Sequence, residues 1–473
     1  MKRIVNIILG IVVIVSNIEA QTISLETAKD IASKWYQYVK KENVKDIKSI
    51  KIKSIVPKVE KEELPTFYGI NFEDGGYIIV SSEENIGPIL AYSRTSSFDE
   101  AKLDEGDEKW WDCVNNHIKQ KKSKTEKEKT NILKSPASSF NIDNYITNLS
   151  STQSTVVNVP SLFETYQTSR WAGWNVYDSE FPGGTADNTC VPLAMAQIIK
   201  YWKFPIQGQG SYNGMDFSRQ RYDYGMMPFR LTYCGNSAKG GICDDGSFDV
   251  IPGVTVAHIQ EVSRLIYHCA ITVNWSNGGT GGAPDTWVGK LVNYFNYSSG
   301  FIYRNDSYIA NNNEAFKSDL RNELMNKRPI LFNYFGPGWT AGHAVVIDGV
   351  ENDNYFHFAM GRGGSEDVYY YLFDLDNDNV HNKSPYSSYY RAVYGIQPNC
   401  PQSGTVNLNN MVISSSQSQS YLSNDKINIT NFVVENGGQM TVKAANEVNL
   451  GTGFEIKLGS DVLITTGLCG PPN

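Results

Sequence analysis

Apolar residues between positions 193 and 202 leave almost no side of a helix polar: Leu193, Met195, Ala196, Ile198, Ile199 and Trp202 together cover most of its circumference. That distribution predicts a helix buried in a core rather than one lying on a surface. Pro192 fits its first turn, where a missing N–H has no partner to lose, and Pro205 ends it, so Cys190 falls at the helix N-terminus. A second run of helical period over 254–269 predicts another helix, and Leu25, Ala28, Ile31, Ala32 and Trp35 predict one more behind Ser24. The period then changes. Residues 329–335, 343–348, 355–359, 368–373 and 391–396 are short runs rich in aromatic and β-branched side chains, as is 76–80, and each reads as a strand. Helices followed by a run of strands indicate an α+β unit of two lobes over 156–400, preceded by a compact α+β unit over 21–118.

Two stretches follow other rules. Over 119–155 Lys, Glu, Ser, Thr and Asn displace apolar residues, and such a segment cannot bury enough surface to offset its conformational entropy. It reads as a solvated linker, where proteolytic cuts concentrate. Over 401–473 apolar residues alternate (Met440, Val442, Ala444; Phe454, Ile456, Leu458; Val462, Ile464) between Asn and Gly turns. This predicts a small all-β module, either a β-sandwich or stacked β-turns.

The 473 residues suffice for two to four domains, each with its own core. A formal charge of −8 argues against a nucleic-acid surface, which would show a basic stripe. Lys2 and Arg3, an apolar run over 4–15 and a small-residue site at Ala20 read as a secretory signal peptide over 1–20. No later run is apolar and long enough to span a bilayer, so the chain reads as secreted, extracellular or associated with the cell surface. Its 7 cysteines, at 113, 190, 234, 243, 269, 400 and 469, are an odd number for an exported chain, so one thiol stays unpaired or pairs outside the molecule. Cys234 and Cys243 flank a Gly-rich loop and are able to bridge, whereas Cys190 reads as the free thiol.

A thiol at the N-terminal end of a buried helix faces the positive end of the helix dipole, which favours the thiolate. An inert packing cysteine also fits that position. What makes Cys190 a candidate nucleophile is a second segment, Gly336-Pro-Gly-Trp-Thr-Ala-Gly342-His343-Ala-Val-Val-Ile-Asp348-Gly349, a Gly-rich turn opening onto a β-branched strand that begins at His343. A cysteine nucleophile requires a base within hydrogen-bond reach, and that base commonly lies far away in sequence. Competing motifs fail. Asp374, Asp376 and Asp378 begin like a calcium loop, but Asn379 and Pro385 stand where the glycine and the bidentate glutamate belong. The 278–282 glycine loop lacks the Lys-Ser/Thr pair of a phosphate-binding loop and reads as lining a substrate cleft, and neither Gly-x-Ser-x-Gly nor His-Glu-x-x-His occurs. His117, His258, His268 and His381 read as surface or capping residues and His357 as a strand residue. The chemistry calls for no metal and no cofactor.

Cys190-Val-Pro-Leu-Ala-Met-Ala-Gln-Ile-Ile-Lys-Tyr-Trp202, together with Gly342-His343-Ala-Val-Val-Ile-Asp348-Gly349, resembles the streptopain family of secreted bacterial cysteine peptidases. Between the two motifs Asp216-Phe217-Ser218, Tyr222-Asp223-Tyr224, Met227-Pro228, Leu265-Ile-Tyr-His-Cys269 and Gly278-Gly-Thr-Gly-Gly282 fall in the family's order, and the resemblance spans roughly 22–400. It implies a papain-like fold with Cys190 as nucleophile on a helix of one lobe and His343 as general acid/base on a strand of the other. Protein or peptide substrates would bind between them. Gly75-Gly-Tyr-Ile-Ile-Val-Ser-Ser82, with Pro88-Ile-Leu-Ala-Tyr-Ser93 and Phe98-Asp99, resembles the inhibitory propeptide of such zymogens. This makes 21–118 a prodomain acting as an intramolecular inhibitor; an independent adhesion or scaffold domain is its other reading. Residues 119–155 then hold the maturation sites, 156–400 the peptidase domain, and 401–473 a β-rich module similar to those appended to many secreted bacterial enzymes.

Three positions depart from the family's pattern. Ala359-Met360-Gly361-Arg362-Gly363-Gly364 stands where the family has Asn-Trp-Gly-Trp-Gly-Gly, which replaces both cleft tryptophans and the asparagine that orients the histidine. Trp171-Ala-Gly173-Trp-Asn175 lacks the glutamine that completes the oxyanion hole, and Thr189 replaces the glycine before the nucleophile. Asn175, Asp348 and Trp174 are candidate substitutes, each also readable as a turn or packing residue. Arg362 would add positive charge if it lines the cleft. These departures open a second class of function, a pseudopeptidase that keeps the fold and binds peptides or a protein partner, while retention of Cys190 and His343 favours the enzyme.

Overall fold

A computed structural model describes residues 23–40, 50–59, 65–83, 87–99, 111, 114–115, 118–119, 141–151, 156–172, 181, 189–233, 249–276, 279–335, 342–364, 367–372, 390–399, 404–423 and 425–466. The expected signal peptide over 1–20 lies outside them, as do Cys234 and Cys243. Among the described residues no helix is long and apolar enough to cross a membrane.

The N-terminal unit begins with α1 (Leu25–Lys40), whose Ser24 hydroxyl accepts the Thr27 N–H at 3.2 Å and so caps the first turn. Its stripe of Ala28, Ile31, Ala32, Trp35, Tyr36 and Val39 is buried across a meander of β1 (Ile52–Lys58), β2 (Phe67–Phe72), β3 (Tyr77–Ser81) and β4 (Ile89–Ser93). Every residue of β2, β3 and β4 is buried, because α1 covers one face and the other faces the main core through Phe67, Ile79 and Leu90. At the β2–β3 turn Gly76 adopts φ +95, and a Cβ there would lie 2.7 Å from the Ser93 carbonyl, so glycine alone fits.

Over 119–155 the structure differs from a wholly solvated linker. Residues Ile142–Ser151 form α2, whose Ile142, Tyr145 and Ile146 lie on one face and pack beside Trp35, while Asp143 pairs with Lys34 at 2.8 Å. Three apolar residues at i, i+3 and i+4 suffice to dock one short helix, although the segment's average composition is polar. Residues 120–140 and 152–155 of the expected maturation region lie outside the described residues.

The helical lobe contains α3 (Leu162–Thr165), α4 (Cys190–Trp202), two short antiparallel strand pairs, β5 (Ser211–Tyr212) with β6 (Met215–Asp216) and β7 (Thr232–Tyr233) with β8 (Asp249–Val250), then α5 (Val256–Thr272) and α6 (Pro284–Phe295). The β lobe follows with β9 (Ile302–Arg304), α7 (Asp306–Asn311), α8 (Asn313–Met325), β10 (Ile330–Phe335), β11 (Gly342–Glu351), β12 (Tyr355–Ala359), β13 (Val368–Tyr371) and β14 (Tyr390–Tyr394). All five strand runs expected in this half are present, and helix α5 corresponds to the expected 254–269 run.

The N-terminal meander and the β lobe form one antiparallel sheet of 10 strands in the order β1-β2-β3-β4-β13-β12-β11-β10-β14-β9. The seam is the β4–β13 pair, with Tyr92 opposite Tyr369 and Ala91 opposite Tyr370. Across it Arg94 binds both carboxylate oxygens of Glu351, and the Tyr92 and Tyr369 rings stack at 5.1 Å.

Beyond Gly404 the chain coils. Strands β15 (Val406–Ile413), β16 (Ser418–Ser423), β17 (Lys426–Val434), β18 (Gln439–Ala444), β19 (Glu447–Leu450), β20 (Phe454–Ile456) and β21 (Asp461–Thr466) pair in parallel, β15 and β19 on β17, and β16 and β21 on β18. This is the stacked-turn form of the two expected. Its register steps by 21 residues from β15 to β17, β16 to β18 and β17 to β19 and by 22 from β17 to β20 and β18 to β21, and Asn407, Asn428 and Asn449 form a side-chain ladder with bonds of 2.8 and 3.0 Å. Ile427, Ile429, Phe432, Met440 and Val442 fill the inside of the coil.

Candidate active site

Helix α4 is buried along almost its whole length and packs against both α5 and β11, so its first residue meets the start of β11. Thr189, its N-cap, makes no side-chain capping bond, and no acidic residue occupies the first turn. No carboxylate of that turn competes with the Cys190 sulfur for the Val191 N–H. Cys190 is a half-buried free thiol. Burial opposes its ionisation, but the His343 side chain, by hydrogen bond and by charge, and the backbone N–H groups of Ala344 and Val191 outweigh it, so the thiol ionises more readily than an ordinary cysteine.

His343 is the second residue of β11, its ring edge-on to Tyr334 at 5.8 Å and its backbone carbonyl accepting from Asn333 Nδ2 at 3.0 Å. Its Nε2 lies 2.9 Å from the Met360 carbonyl oxygen. A carbonyl only accepts, so Nε2 carries a proton and the other ring nitrogen, Nδ1, is left for the thiol. The orienting role that the family assigns to asparagine falls here to a backbone oxygen. Sequence reading missed it because a carbonyl belongs to every residue type.

Arg362 does not add charge to an open cleft: it is 2% exposed, and its backbone forms an antiparallel bridge with Ala172. Gly363 N–H donates to the Trp171 carbonyl at 3.1 Å, so the loop after β12 is tied to the 171–172 segment. Trp174 and Asn175 lie outside the described residues.

Asp348 does not orient His343. It is the extra residue of a bulge in β11, where Ile347 pairs with Phe358 and Gly349 with His357, and it is fully buried. One oxygen accepts from His357 Nδ1 at 2.6 Å; the other accepts from the Ser161 hydroxyl at 2.6 Å and the Phe163 N–H at 2.9 Å. Burial works against the His357 charge, but Asp348 beside it more than compensates, so His357 holds its proton above the ordinary histidine range. His357 is thus a strand residue, as expected, and also half of a buried ion pair.

His258 caps α5 through Thr255, whereas His268 is not at the surface: it is 2% exposed, bonds the Tyr222 hydroxyl at 3.0 Å, and burial pushes it down to about 4. A lone histidine in an apolar helix face carries no sequence mark that separates these two fates. The described part of the glycine loop, 279–282, packs on α6, where Trp287 Nε1 donates to the Gly281 carbonyl at 2.9 Å. Cys269 is a second free thiol, and burial pushes it well up, so it is inert beside Cys190. No group of three or more His, Cys, Asp or Glu residues placed to hold a metal occurs among the described residues.

Two family models and several known proteins are similar to this chain. Residues 169–370 match the Peptidase C10 family and residues 20–118 match the Spi protease inhibitor family. The chain is 26% identical to streptopain of Streptococcus pyogenes over 348 residues, covering 70% of this chain and 80% of that protein. It is 23% identical over 363 residues to the thiol protease/hemagglutinin PrtT of Porphyromonas gingivalis, covering 74% of this chain and only 39% of that protein. The solved prointerpain A fragment of Prevotella intermedia is similar at 20% identity and a TM-score of 0.49, over 73% of this chain and 98% of that one. Over residues 169–370 the chain is a papain-like cysteine peptidase of the C10 type, and over residues 20–118 it carries an inhibitory propeptide of the Spi type.

Proposed function

We propose that the chain is a secreted cysteine endopeptidase, made as a zymogen, in which residues 156–400 act and residues 21–118 inhibit. The observation that carries this reading is the ionisable Cys190 thiol, at a helix N-terminus and within hydrogen-bond reach of the His343 imidazole. The Cys190 thiolate attacks a peptide carbonyl, and the Cys190 N–H, which has no partner inside the helix, donates to the oxyanion. His343 gives its Nδ1 proton to the leaving amine as the tetrahedral adduct collapses to a thioester. It then takes a proton from water, whose hydroxide attacks the thioester, and the acid product leaves as thiolate and imidazolium are restored. Residues 119–155 hold the maturation cuts, and the C-terminal module over 401–473 rides outside the chemistry.

The test is labelling of the full-length chain by the peptidyl epoxide E-64, before and after incubation that permits self-processing, with mass spectrometry to locate the adduct. Stoichiometric modification at Cys190 in the processed protein is expected, with none in Cys190→Ala. A folded protein that does not process itself and still takes no label after its propeptide is removed by an added protease would overturn the peptidase reading and leave the peptide-binding pseudopeptidase.

The seam between propeptide and peptidase gives a second expectation. Glu351, on the peptidase side, takes both oxygens to Arg94 and also accepts the Tyr92 hydroxyl. Glu351→Gln keeps the shape but removes the charge, which weakens docking by about 1–2 kcal/mol, or roughly 5–30-fold in the undocked population. Self-processing of the full-length variant should accelerate by that factor in a gel time course. An unchanged rate would mean that undocking at this seam does not limit maturation.

A further inference from the structure

A carbonyl that orients a histidine is only as well placed as the loop that carries it. Met360 opens a loop in which Gly361, Gly363 and Gly364 all adopt positive φ, at +74, +65 and +86, so the backbone has little stiffness of its own. Its position is set from outside. The Met360 N–H donates to Asp367 Oδ1 at 2.9 Å, so Asp367 holds the residue whose carbonyl meets His343. Arg170 lies 3.4 Å from the other Asp367 oxygen, donates to the Gly364 carbonyl at 2.9 Å, and pairs with Glu164 at 3.0 Å. Arg170 and Asp367 are both at least nine-tenths buried, at 9% and 8% exposure, and a Cβ on Gly364 would run into the guanidinium 1.6 Å from Nε. The brace therefore spans both ends of the loop.

We propose that Asp367, held by Arg170, is a positioning residue for His343: by fixing the Met360 backbone it aims the carbonyl that keeps the imidazole in its productive tautomer and, once charged, bonded at Nε2. The inference rests on Cys190 and His343 being the reacting pair. Around His343 stand Cys190 from α4, Tyr334 from β10 and the Met360 carbonyl; around Asp367 stand Arg170, His357 and Glu164. Burial favours the neutral form of Asp367 and Arg170 and His357 oppose it, so the carboxylate is a strong acceptor only while those cations flank it.

Removing the acceptor behind Met360 loosens the carbonyl that stabilises the imidazolium. The charged form then loses its proton at lower pH. In Asp367→Ala the alkaline limb of kcat/KM should move down by about one pH unit, kcat should fall about 10–100-fold, and KM should stay within about threefold, because no substrate contact is lost. Asp367→Asn keeps an oxygen for the Met360 N–H at the same size and should recover most of the kcat. Both variants are compared with wild type in the processed full-length enzyme, with the pH dependence of iodoacetamide alkylation at Cys190 read in parallel. If wild-type Cys190 alkylates like an ordinary thiol, the reacting pair itself is wrong, and this inference falls with it. A wild type that shows a low-pH thiolate while Asp367→Ala keeps the same pH profile and kcat overturns the positioning role alone. Equal losses in the Asn and Ala variants also overturn it, since Asp367 would then act through charge and not as the anchor of Met360.

Discussion

Cys190→Ala is expected to lower kcat toward a peptide substrate by on the order of 10⁶ while leaving the fold in place. Only Sγ of a half-buried side chain is removed, so packing changes little, but the electron pair that forms the thioester is gone. His343→Ala should fall nearly as far for a different reason. Burial pushes the Cys190 thiol up, and the imidazole is the largest of the groups that reverse this, so without it the thiolate becomes scarce at neutral pH and the leaving amine goes unprotonated. What activity remains in His343→Ala should climb with pH as the thiol ionises unaided. Because the two groups act as one unit, the double variant should be no slower than Cys190→Ala alone. Single-turnover hydrolysis measures all three after each variant has been cut in trans by immobilised wild-type enzyme, since none can process itself. A double variant that loses the product of both factors would mean that Cys190 and His343 act independently.

Much of this site was readable from local pattern, and the part that was not has a physical reason. A helix apolar on nearly every side, with Pro192 in its first turn, has only one place for Cys190, and the β-branched run after Gly342 has only one for His343. Each is a statement about near neighbours in the chain. The contact between them was an expectation from chemical need, since α4 packing on β11 is not written in either segment. Backbone groups escape such reading altogether. The Met360 carbonyl replaces an asparagine side chain, so what looked like the loss of an orienting group is a change in which atom does the orienting. Asp348 shows the reverse error: its place in the His343 strand made it a candidate orienter, but one bulge turns it to His357.

The same contrast holds for the fold. Strand after strand of the β lobe follows from its apolar runs, yet nothing in them says that β13 continues into β4 of the propeptide. The seam needs the pairing of Tyr92 with Tyr369 and the Arg94–Glu351 contact, groups 277 and 257 residues apart that no periodicity connects. In the C-terminal coil, alternation alone serves a sandwich and a stack equally well. What separates them is the 21-residue recurrence of asparagine at 407, 428 and 449, because a parallel register puts identical side chains over one another, where amides bond along the ladder.

Asp348→Ala carries the largest expected loss of stability. Its fully buried carboxylate satisfies three donors, from Ser161, Phe163 and His357, and thereby ties the start of α3 and strand β12 to β11. Alanine strands all three, which costs about 3–5 kcal/mol, as for a buried pair broken on one side. The loss should depend on pH with a defined sign. His357 is held above its ordinary 6.5, so the stability it contributes is full below that value and is lost as pH rises through its raised folded value. Without Asp348 the burial that opposes its charge is left unanswered by its main partner, and the variant should gain stability with rising pH where wild type declines. The gap between their urea midpoints should therefore be wide at pH 6 and narrower at pH 9. A gap that is constant or widens toward pH 9 would mean that His357 is neutral in the folded protein and that Asp348 acts through Ser161 and Phe163 alone. E-64 labelling of residual folded Asp348→Ala should still map to Cys190, because the orientation of His343 runs through Met360 and not through this pair.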